Sequence, residues 1–324
     1  MKKLSIAAII LASLAIAGEA LIFTTRKQDA DEVHCRAIQA GYHVYAPPMP
    51  DTLSFCGERV PLNLYYVRES LDRELVSNMY YQSSTLFYIK RAVRFFPTIE
   101  RILKEEHVPQ DMKYLCVIES GLQCITSSAG AVGYWQFMKT TGQKYGLEIT
   151  DEIDMRNDLE ASTRAACRYL KSLKARFGGW TEAAAAYNCG ENGLGRRLDA
   201  QQQSSYYDLL LNQETQRYVF RILAIKLIMQ NPTAYGYHVR RYDTYPELPY
   251  EEVTLSGQNV DIVQFAVDNG TSYKMIRTMN PWITTDKLKN KSGNTYKVRI
   301  PTKKGTEYNT IIRGKHDTTV IKNL

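Results

Sequence analysis

The segment Tyr114-Leu-Cys-Val-Ile-Glu-Ser-Gly-Leu122 decides the interpretation of this chain, because it places one carboxylate on an otherwise apolar helix. Pro109 and Asp111 precede it and predict a helix start. Gly121 directly follows the Glu119-Ser pair and predicts the helix end. Four residues recur at i, i+3, i+4 and i+7 and so share one helix face, namely Met112, Leu115, Cys116 and Glu119.

Such a position disfavours the ionised form of the Glu119 side chain. Apolar neighbours desolvate the carboxylate, and the C-terminal end of a helix carries partial negative charge. A carboxylic acid that must donate a proton near neutral pH needs these surroundings. The same spacing also fits a helix-end glutamate that simply reaches water, so this segment alone leaves both interpretations open.

A second informative segment, Ser127–Met138, combines small and aromatic residues. Gly130 and Gly133 allow a tight turn and a close approach of the backbone to a ligand. Sugar rings stack on aromatic faces, and an amide can bond their hydroxyl or N-acetyl groups. The alternative is a well-packed loop whose aromatic residues belong to the core. The residues concerned are Trp135, Gln136 and Phe137.

Two further segments end or begin predicted helices. Trp180–Gly190 is an alanine-rich helix that permits close packing and presents Tyr187 and Asn188 at its end. Glu214–Val219 opens a long amphipathic helix that carries Tyr218. These polar residues suit the lining of a cleft, but Asn before Gly is also a common helix stop, and a tyrosine in this position also suits a packed face.

The composition is that of a globular protein with one sizeable domain and a smaller one. The chain has 324 residues, of which 44% are hydrophobic and 23% charged. Its net charge of +7 is spread among acidic residues, without a long basic run or a nucleic-acid motif. A nucleic-acid partner is therefore not expected, whereas a polyanionic wall or membrane surface fits the charge.

The N-terminus predicts export. Lys2 and Lys3 precede an apolar run over residues 4–17, and small residues follow as cleavage sites. Apolar character resumes at residues 21–23, so an uncleaved anchor that associates with the membrane is the alternative. Cys35 lies too far from the apolar run to carry a lipid at a cleavage site.

The six cysteines form an even set in a chain that we expect to be exported, which permits disulfides. Zinc is disfavoured because no Cys-x-x-Cys pair occurs and the five histidines are dispersed, so no metal site is predicted. Pairing of sequence neighbours is a guess that spacing cannot prove: Cys35–Cys56, Cys116–Cys124 and Cys167–Cys189.

The order of patterns predicts a mainly α protein. Helical periodicity runs from Ser70 to Gln230, interrupted by breakers that include Pro97, and residues 251–302 read as strand, two short helices and strand. The predicted organisation is a signal peptide or anchor at 1–25, an N-terminal arm packing on the main domain at 26–85, an all-helical catalytic domain at 86–237, a linker at 238–250, a β-α-α-β module at 251–302 and a basic tail without an obvious core at 303–324.

Together and in this order, the four segments resemble the lysozyme-like lytic transglycosylases, most closely the membrane-bound lytic murein transglycosylase D group. The resemblance covers roughly Phe95 to Tyr237 and rests on the Glu119-Ser120 pair, the Ser128-to-Met138 run, Ala186-Tyr187-Asn188 and Glu214-Thr215-x-x-Tyr218-Val219. It implies that Glu119 is the general acid and then the base, with Ser120 and Gln136 as orienting groups. The substrate-binding set that it implies is Ser120, Ser128, Gly133, Trp135, Gln136, Phe137, Tyr187, Asn188 and Tyr218.

Residues Val253 to Pro301 resemble a LysM module, a binder of glycans that contain N-acetylglucosamine. The resemblance rests on Asn280-Pro281 and on the terminal Ile300-Pro301. Ser256-Gly-Gln-Asn259 departs from the usual Gly-Asp-Thr-Leu type of opening, so glycan binding by this module stays open.

The expected function is non-hydrolytic cleavage of the bond between N-acetylmuramic acid and N-acetylglucosamine, giving 1,6-anhydromuramoyl products. Hydrolysis would ordinarily want a second carboxylate, but Asp151, Asp154 and Asp158 are interpreted as structural residues ahead of the next helix. A lysozyme-type muramidase and an inactive wall-binding scaffold are the alternatives. No cofactor is expected, the partner is the peptidoglycan glycan strand, and the location is the periplasm or the outer membrane of a Gram-negative bacterium.

Overall fold

The computed structural model describes residues 32–33, 35–36, 44–291, 293–311 and 319–324. The predicted signal peptide or anchor at residues 1–25 lies outside the described residues. Within the described part, no helix combines the length and the apolar character needed to cross a bilayer.

The main body is helical, as predicted. Five single turns of 3₁₀-helix connect its longer elements, at Gln110–Met112, Met155–Asn157, Tyr206–Asp208, Pro232–Tyr235 and Arg241–Asp243. Its α-helices are α1 Tyr65–Tyr80, α2 Gln82–Glu105, α3 Lys113–Ser120, α4 Lys139–Lys144, α5 Leu159–Phe177, α6 Trp180–Cys189, α7 Glu191–Gln201 and α8 Gln213–Gln230.

Helix α8 lies at the centre of this body, and α1, α3 and α6 pack against it. Its apolar residues are buried on almost every side, as expected of a core helix. Its buried cation Lys226 donates to the Ser54 carbonyl at 2.6 Å and to Asp111 Oδ2 at 2.7 Å. Asp111 also accepts from the Cys56 backbone N–H at 2.7 Å, so its carboxylate ties three segments together. The helix start predicted at Pro109 and Asp111 is confirmed, because the turn Gln110–Met112 leads directly into α3.

Two predicted boundaries are wrong. Pro97 does not end a helix, because α2 continues through it and is held by buried residues on both sides of the proline, including Ile89 and Ile102. The predicted border between residues 85 and 86 also falls inside α2, so the N-terminal arm and the catalytic domain share one helix and one hydrophobic core.

The N-terminal arm enters the core through a small hairpin. Strands β1 (Ser54–Phe55) and β2 (Glu58–Arg59) pair in antiparallel fashion, and Phe55 is fully buried. Glu58 accepts from the backbone N–H groups of Trp180 at 2.6 Å and Thr181 at 2.9 Å, the first residues of α6. A carboxylate here satisfies free donors and complements the helix dipole, so the hairpin fixes the start of α6.

The predicted linker and tail both pack on the main body. Tyr245 N–H donates to the Lys90 carbonyl of α2 at 3.0 Å, and Arg94 Nε donates to the Pro246 carbonyl at 2.9 Å. At the C-terminus, Leu324 N–H donates to the Met229 carbonyl at 3.0 Å. The expectation of a tail without core contacts is therefore wrong for residues 319–324, because their apolar side chains complete the main core.

The C-terminal module has the predicted β-α-α-β order. Strand β3 (Tyr250–Leu255) pairs antiparallel with β6 (Tyr296–Pro301), and helices α9 (Ile262–Asp268) and α10 (Tyr273–Met279) lie between them in sequence. A second pair joins β4 (Val260–Asp261) to β5 (Lys287–Leu288), and a last short helix, α11, spans Tyr308–Ile311.

Buried Asn280 explains one mark of the LysM resemblance. Its Nδ2 donates to the Arg299 carbonyl at 2.7 Å and to the Ile276 carbonyl at 2.9 Å. Its Oδ1 accepts from Arg299 N–H at 2.7 Å. The side chain thus joins the end of α10 to β6 and leaves no buried polar atom unsatisfied.

The module is fastened to the main body along one segment, residues 148–160. Ile153 is 2% exposed and lies in the hydrophobic core of the module. Asp154 N–H donates to the Trp282 carbonyl at 2.8 Å, and Thr284 N–H donates to the Glu152 carbonyl at 2.9 Å. The two domains therefore share a core residue and a short backbone ladder.

None of the three predicted disulfides forms, because all six cysteines are unpaired. Cys116 is fully buried, and its thiol contacts the Tyr134 carbonyl at 3.3 Å. Cys124 directs its thiol to the Asn157 carbonyl at 3.5 Å. These thiols act as small core groups with weak hydrogen bonds.

The shared core generates a stability prediction. Ile153→Ala should lower the free energy of unfolding by roughly 2–4 kcal/mol, because it leaves a cavity where the module meets the main body. Urea unfolding monitored by circular dichroism measures the change. The control Val263→Ala, at a side chain 45% exposed on α9, should change it by less than about 0.5 kcal/mol. Equal effects of the two substitutions would contradict a shared core.

Candidate active site

Glu119 lies at the end of helix α3, as predicted from the sequence. Gly121 forms the C-cap with a φ of 60°, the left-handed region in which glycine carries no steric penalty. A side chain at this glycine would also collide with the Tyr88 ring, since a Cβ atom would lie 2.7 Å from Tyr88 Cε1. The helix therefore stops directly beside the carboxylate, and the Tyr88 ring, carried by α2, covers the turn.

The pKa of Glu119 is raised to about 7, mainly because burial disfavours the charged form. Glu214 raises it further by repulsion, whereas the hydrogen bond from Tyr218 and the positive charge of Arg221 lower it. Desolvation by apolar neighbours is thus the dominant cause, as the sequence predicted. The Glu119 side chain is half-buried and bonded to Tyr218, so it does not simply extend into water.

Tyr218 is the direct partner of the carboxylate. Its hydroxyl, on the central helix α8, donates a short hydrogen bond to Glu119 Oε1. Burial and the neighbouring carboxylate raise the pKa of the tyrosine well above its usual range, so it stays a donor at any physiological pH. The sequence-predicted pair of Glu119 and Tyr218 is therefore brought into contact from positions 99 residues apart.

Tyr187 and Asn188 connect the end of α6 to the other segments of the site. Tyr187 Oη donates to the Trp135 carbonyl at 2.7 Å. Asn188 Nδ2 donates to Glu214 Oε1 at 3.2 Å, and its Oδ1 accepts from the Thr215 hydroxyl at 2.9 Å. The Asn188 amide thus orients the first turn of α8, close to the catalytic candidate.

Ser120 and Gln136 hold the loop of residues 127–138 in place. Ser120 Oγ donates to the Tyr134 carbonyl at 2.7 Å. Gln136 has a φ of 49° and donates from Nε2 to the carbonyls of Gly133 at 2.8 Å and Ile125 at 3.0 Å. Both side chains fix the backbone of the loop, which fits an orienting role.

Glycine is needed at position 133 because another backbone segment comes close to it, and not because a ligand does, as was predicted. Its φ is 87°, and a Cβ atom would lie 1.9 Å from the Arg156 carbonyl oxygen. Only glycine allows this approach of two backbone segments. Arg156 in turn donates from Nη1 to the Phe137 carbonyl at 3.1 Å, so it supports the loop from beneath.

The two aromatic residues of the loop belong to the core, which corrects the prediction that they offer faces to a sugar. Trp135 is fully buried, and its Nε1 donates to Thr163 Oγ1 at 2.9 Å. Phe137 is 2% exposed and packs against the rings of Tyr169 and Tyr187. Ser128, by contrast, is exposed at the loop tip.

The interpretation of two aspartates as structural agrees with the geometry. Asp154 forms an ion pair with Arg156 at 2.7 Å. Asp158 accepts from the Ala161 N–H at 2.7 Å and caps α5. Among the carboxylates of the described residues, Glu214 is the one that acts on the charge of Glu119, and the sequence interpretation did not single it out as an ionic group.

Arg221 is the other residue that the sequence interpretation missed. Glu214, Tyr218 and Arg221 follow each other at i, i+4 and i+7 on α8, which places them on one helix face. That spacing is the signal that was available, but it becomes informative only once Tyr218 is known to face Glu119. Within the described residues, no cluster of three His, Cys, Asp or Glu side chains is arranged to hold a metal ion.

Comparisons with known proteins agree with the fold and its two domains. Residues 96–210 match the family model of the transglycosylase SLT domain, and residues 251–304 match that of the soluble lytic transglycosylase C-terminal LysM-like domain. Over 295 residues, the chain is 30% identical to membrane-bound lytic murein transglycosylase D of Escherichia coli K12, an alignment that covers 88% of this chain and 61% of the relative. The chain thus spans about three fifths of the length of that protein.

Two further proteins are similar to this chain over shorter stretches. Peptidoglycan transglycosylase gp16 of Escherichia phage T7 is 33% identical over 102 residues, which cover 31% of this chain and 8% of the phage protein. A putative tributyltin chloride resistance protein of Alteromonas is 30% identical over 110 residues, covering 33% of this chain and 53% of that protein.

The hydrogen bond to Glu119 predicts how its titration responds to substitution. Tyr218→Phe should raise the pKa of Glu119 above 7 by roughly one unit, because a donor that stabilises the ionised form is lost. NMR titration of the carboxyl carbon measures the shift. Tyr187→Phe is the matched control, since that hydroxyl bonds to the Trp135 carbonyl and not to the carboxylate. A shift of equal size in both variants would contradict the assignment.

Burial of Glu119 also predicts a pH-dependent cost in stability. The unfolded chain ionises this group above its ordinary value of 4.5, but the folded chain does so only near 7. Stability is therefore lost as pH rises from about 4.5 to 7, by about 3 kcal/mol in all. Glu119→Gln should remove this loss, so its stability relative to wild type should rise by about that amount between pH 4 and pH 8. Urea unfolding at both values tests it, with exposed Glu251→Gln as the control.

Proposed function

We propose that this chain, which contains a transglycosylase SLT domain followed by a LysM-like domain, is a lytic transglycosylase that cleaves the glycan strands of peptidoglycan. The observation that carries the proposal is a partly buried carboxylic acid, Glu119, whose pKa of about 7 leaves a protonated population at neutral pH. The matched domains and the names of the relatives point to the same substrate and reaction class.

In the first step, the Glu119 carboxylic acid donates its proton to the oxygen that links C1 of N-acetylmuramic acid to N-acetylglucosamine. The C1–O bond breaks, the N-acetylglucosamine leaves as an alcohol, and positive charge develops at C1 and the ring oxygen. A raised pKa favours this step, because the acid must hold its proton until the bond breaks. The hydrogen bond from Tyr218 stabilises the carboxylate that results.

In the second step, the Glu119 carboxylate removes the proton of the muramoyl 6-hydroxyl, and O6 bonds to C1. The product is a 1,6-anhydro sugar, and Glu119 is returned to its protonated form without the entry of water. One group serves as acid and then as base, which requires a pKa close to the working pH. This requirement matches the value of about 7.

Hydrolysis by the usual two-carboxylate scheme has less support. Asp154 and Asp158 are occupied by an ion pair and a helix cap, respectively. Glu214, at the first turn of α8, is held by a hydrogen bond from the Asn188 amide. A muramidase in which the substrate N-acetyl group assists nevertheless remains the second candidate, and its products would end in a reducing sugar.

We further propose that the enzyme acts outside the cytoplasm of a Gram-negative bacterium, in the periplasm or at the outer membrane. Peptidoglycan lies there, and the basic and apolar start of the chain fits export with or without an anchor. For the LysM-like module we propose a supporting role. Ile153 fills its core, and Arg156, three residues further on, holds the loop of Gly133, so the module steadies the wall of the site.

The decisive prediction is the loss of activity in Glu119→Gln. Purified wild type should release anhydromuropeptides from sacculi, and the variant should release them at least about a thousandfold more slowly, because the amide neither donates nor accepts the proton. Mass spectrometry of the released muropeptides without prior reduction identifies the product ends.

The exposed variant Glu251→Gln is the matched control and should retain full activity. Reducing ends in place of anhydro ends would replace the proposal with the muramidase. If wild type binds to sacculi but releases no muropeptides, the protein is a wall-binding scaffold and the proposed activity is wrong.

A further inference from the structure

A cavity of about 480 Å³ opens beside the site, between α8 on one wall and α1 with the start of α2 on the other. Tyr88 lines it and also closes over Gly121, two residues after Glu119. Glu214 and Arg221 line it from α8, about one helical turn before and one turn after Tyr218. The cavity is therefore adjacent to Glu119, since it is lined by the two charged residues that act on this carboxyl group and by the ring beside the end of its helix.

The carboxylate of Glu74, one of the ionic groups that line this cavity, is already paired with arginine side chains. Glu74, at the base of the wall formed by α1, is 1% exposed and accepts from Arg217 Nε at 2.7 Å and Nη2 at 3.0 Å. Arg73 adds a third bond to the same carboxylate at 3.1 Å. A buried carboxylate with these partners is a structural element, and it holds α1 against α8.

Arg221 differs, because it makes no ion pair within the described residues although it is half-buried. It acts on Glu119 only through space and without direct contact. Glu214, seven residues earlier, lies about 10 Å away along the helix axis and is held by Asn188. A half-buried guanidinium without an ion pair keeps its hydrogen-bond donors available at the cavity wall, which favours a ligand with an acidic group.

We infer that Arg221 binds a carboxylate of the peptide stem that N-acetylmuramic acid carries, and that the cavity between α1 and α8 is the stem-binding subsite. This inference rests on the proposed function. The stem is an acidic peptide attached to the sugar on which Glu119 acts, so it must leave the cleft close to this carboxylic acid. The guanidinium fork matches a carboxylate in two parallel hydrogen bonds, and the cavity volume suits a few residues of peptide.

The test compares three substrates: uncrosslinked glycan strands with tetrapeptide stems, the same strands after an amidase has removed the stems, and stem-bearing strands whose carboxylates have been converted to amides. For wild type, kcat/KM should be highest on the first. For Arg221→Gln, the ratio of kcat/KM on stem-bearing to stem-free strands should fall roughly tenfold or more, the size expected for a charge-assisted hydrogen bond. Amidation of the stems should lower the wild-type value and leave the variant nearly insensitive.

Arg221→Lys should keep most of the preference, since it retains the charge, and Arg68→Gln, which removes an exposed arginine outside the cavity lining, should keep all of it. Circular dichroism verifies that each variant is folded. A uniform loss on all three substrates in Arg221→Gln would overturn the inference and leave Arg221 as an electrostatic neighbour of Glu119. Wild type that cleaves stem-free strands with no preference would also overturn it while the proposed function stands, whereas no cleavage of any strand would overturn both.

Discussion

The contact between the Tyr218 hydroxyl and the Glu119 carboxylate is the interaction on which the site depends. It joins the central helix α8 to the short helix α3, and so it requires both helices to be packed before the chemistry exists. The buried carboxylate costs stability when ionised, and the tyrosine reduces that cost. The core around α8, with its pairs Lys226–Asp111 and Arg217–Glu74, supplies the rigidity that holds an unfavourable group in position.

The surroundings of the site are built from backbone contacts more than from exposed side chains. Gly133 lets the Arg156 carbonyl come close, Gln136 bonds to two carbonyls of its own loop, and Trp135 is fully buried. The module in turn holds the segment that contains Arg156, through Ile153 and the adjoining backbone bonds. A rigid wall of this kind suits the proposed catalysis by one carboxylate, because in that proposal a single group meets the leaving oxygen and then the 6-hydroxyl with little rearrangement.

Sequence patterns were sufficient for the helical class, the β-α-α-β module and the place of Glu119 at the end of a helix, because each rests on local periodicity. Predictions failed where long-range packing overrides a local signal. Pro97 reads as a breaker, yet α2 passes through it because both halves of the helix are buried. The helix start at Asp111 was predicted correctly, but the bonds of its carboxylate to Cys56 and Lys226 come from distant segments and have no local signal. Aromatic residues near glycines read as sugar contacts, and Trp135 and Phe137 are core residues instead.

The sequence alone determined that the carboxylic acid of Glu119 lies at the end of an otherwise apolar helix face, since the pattern that ends at Glu119-Ser-Gly is local. Only the tertiary structure decided what acts on that acid. Tyr218, Glu214 and Arg221 are about one hundred residues away along the chain, and no spacing rule connects them with α3. Their effect depends on distances through space, which the packing of α3 against α8 establishes.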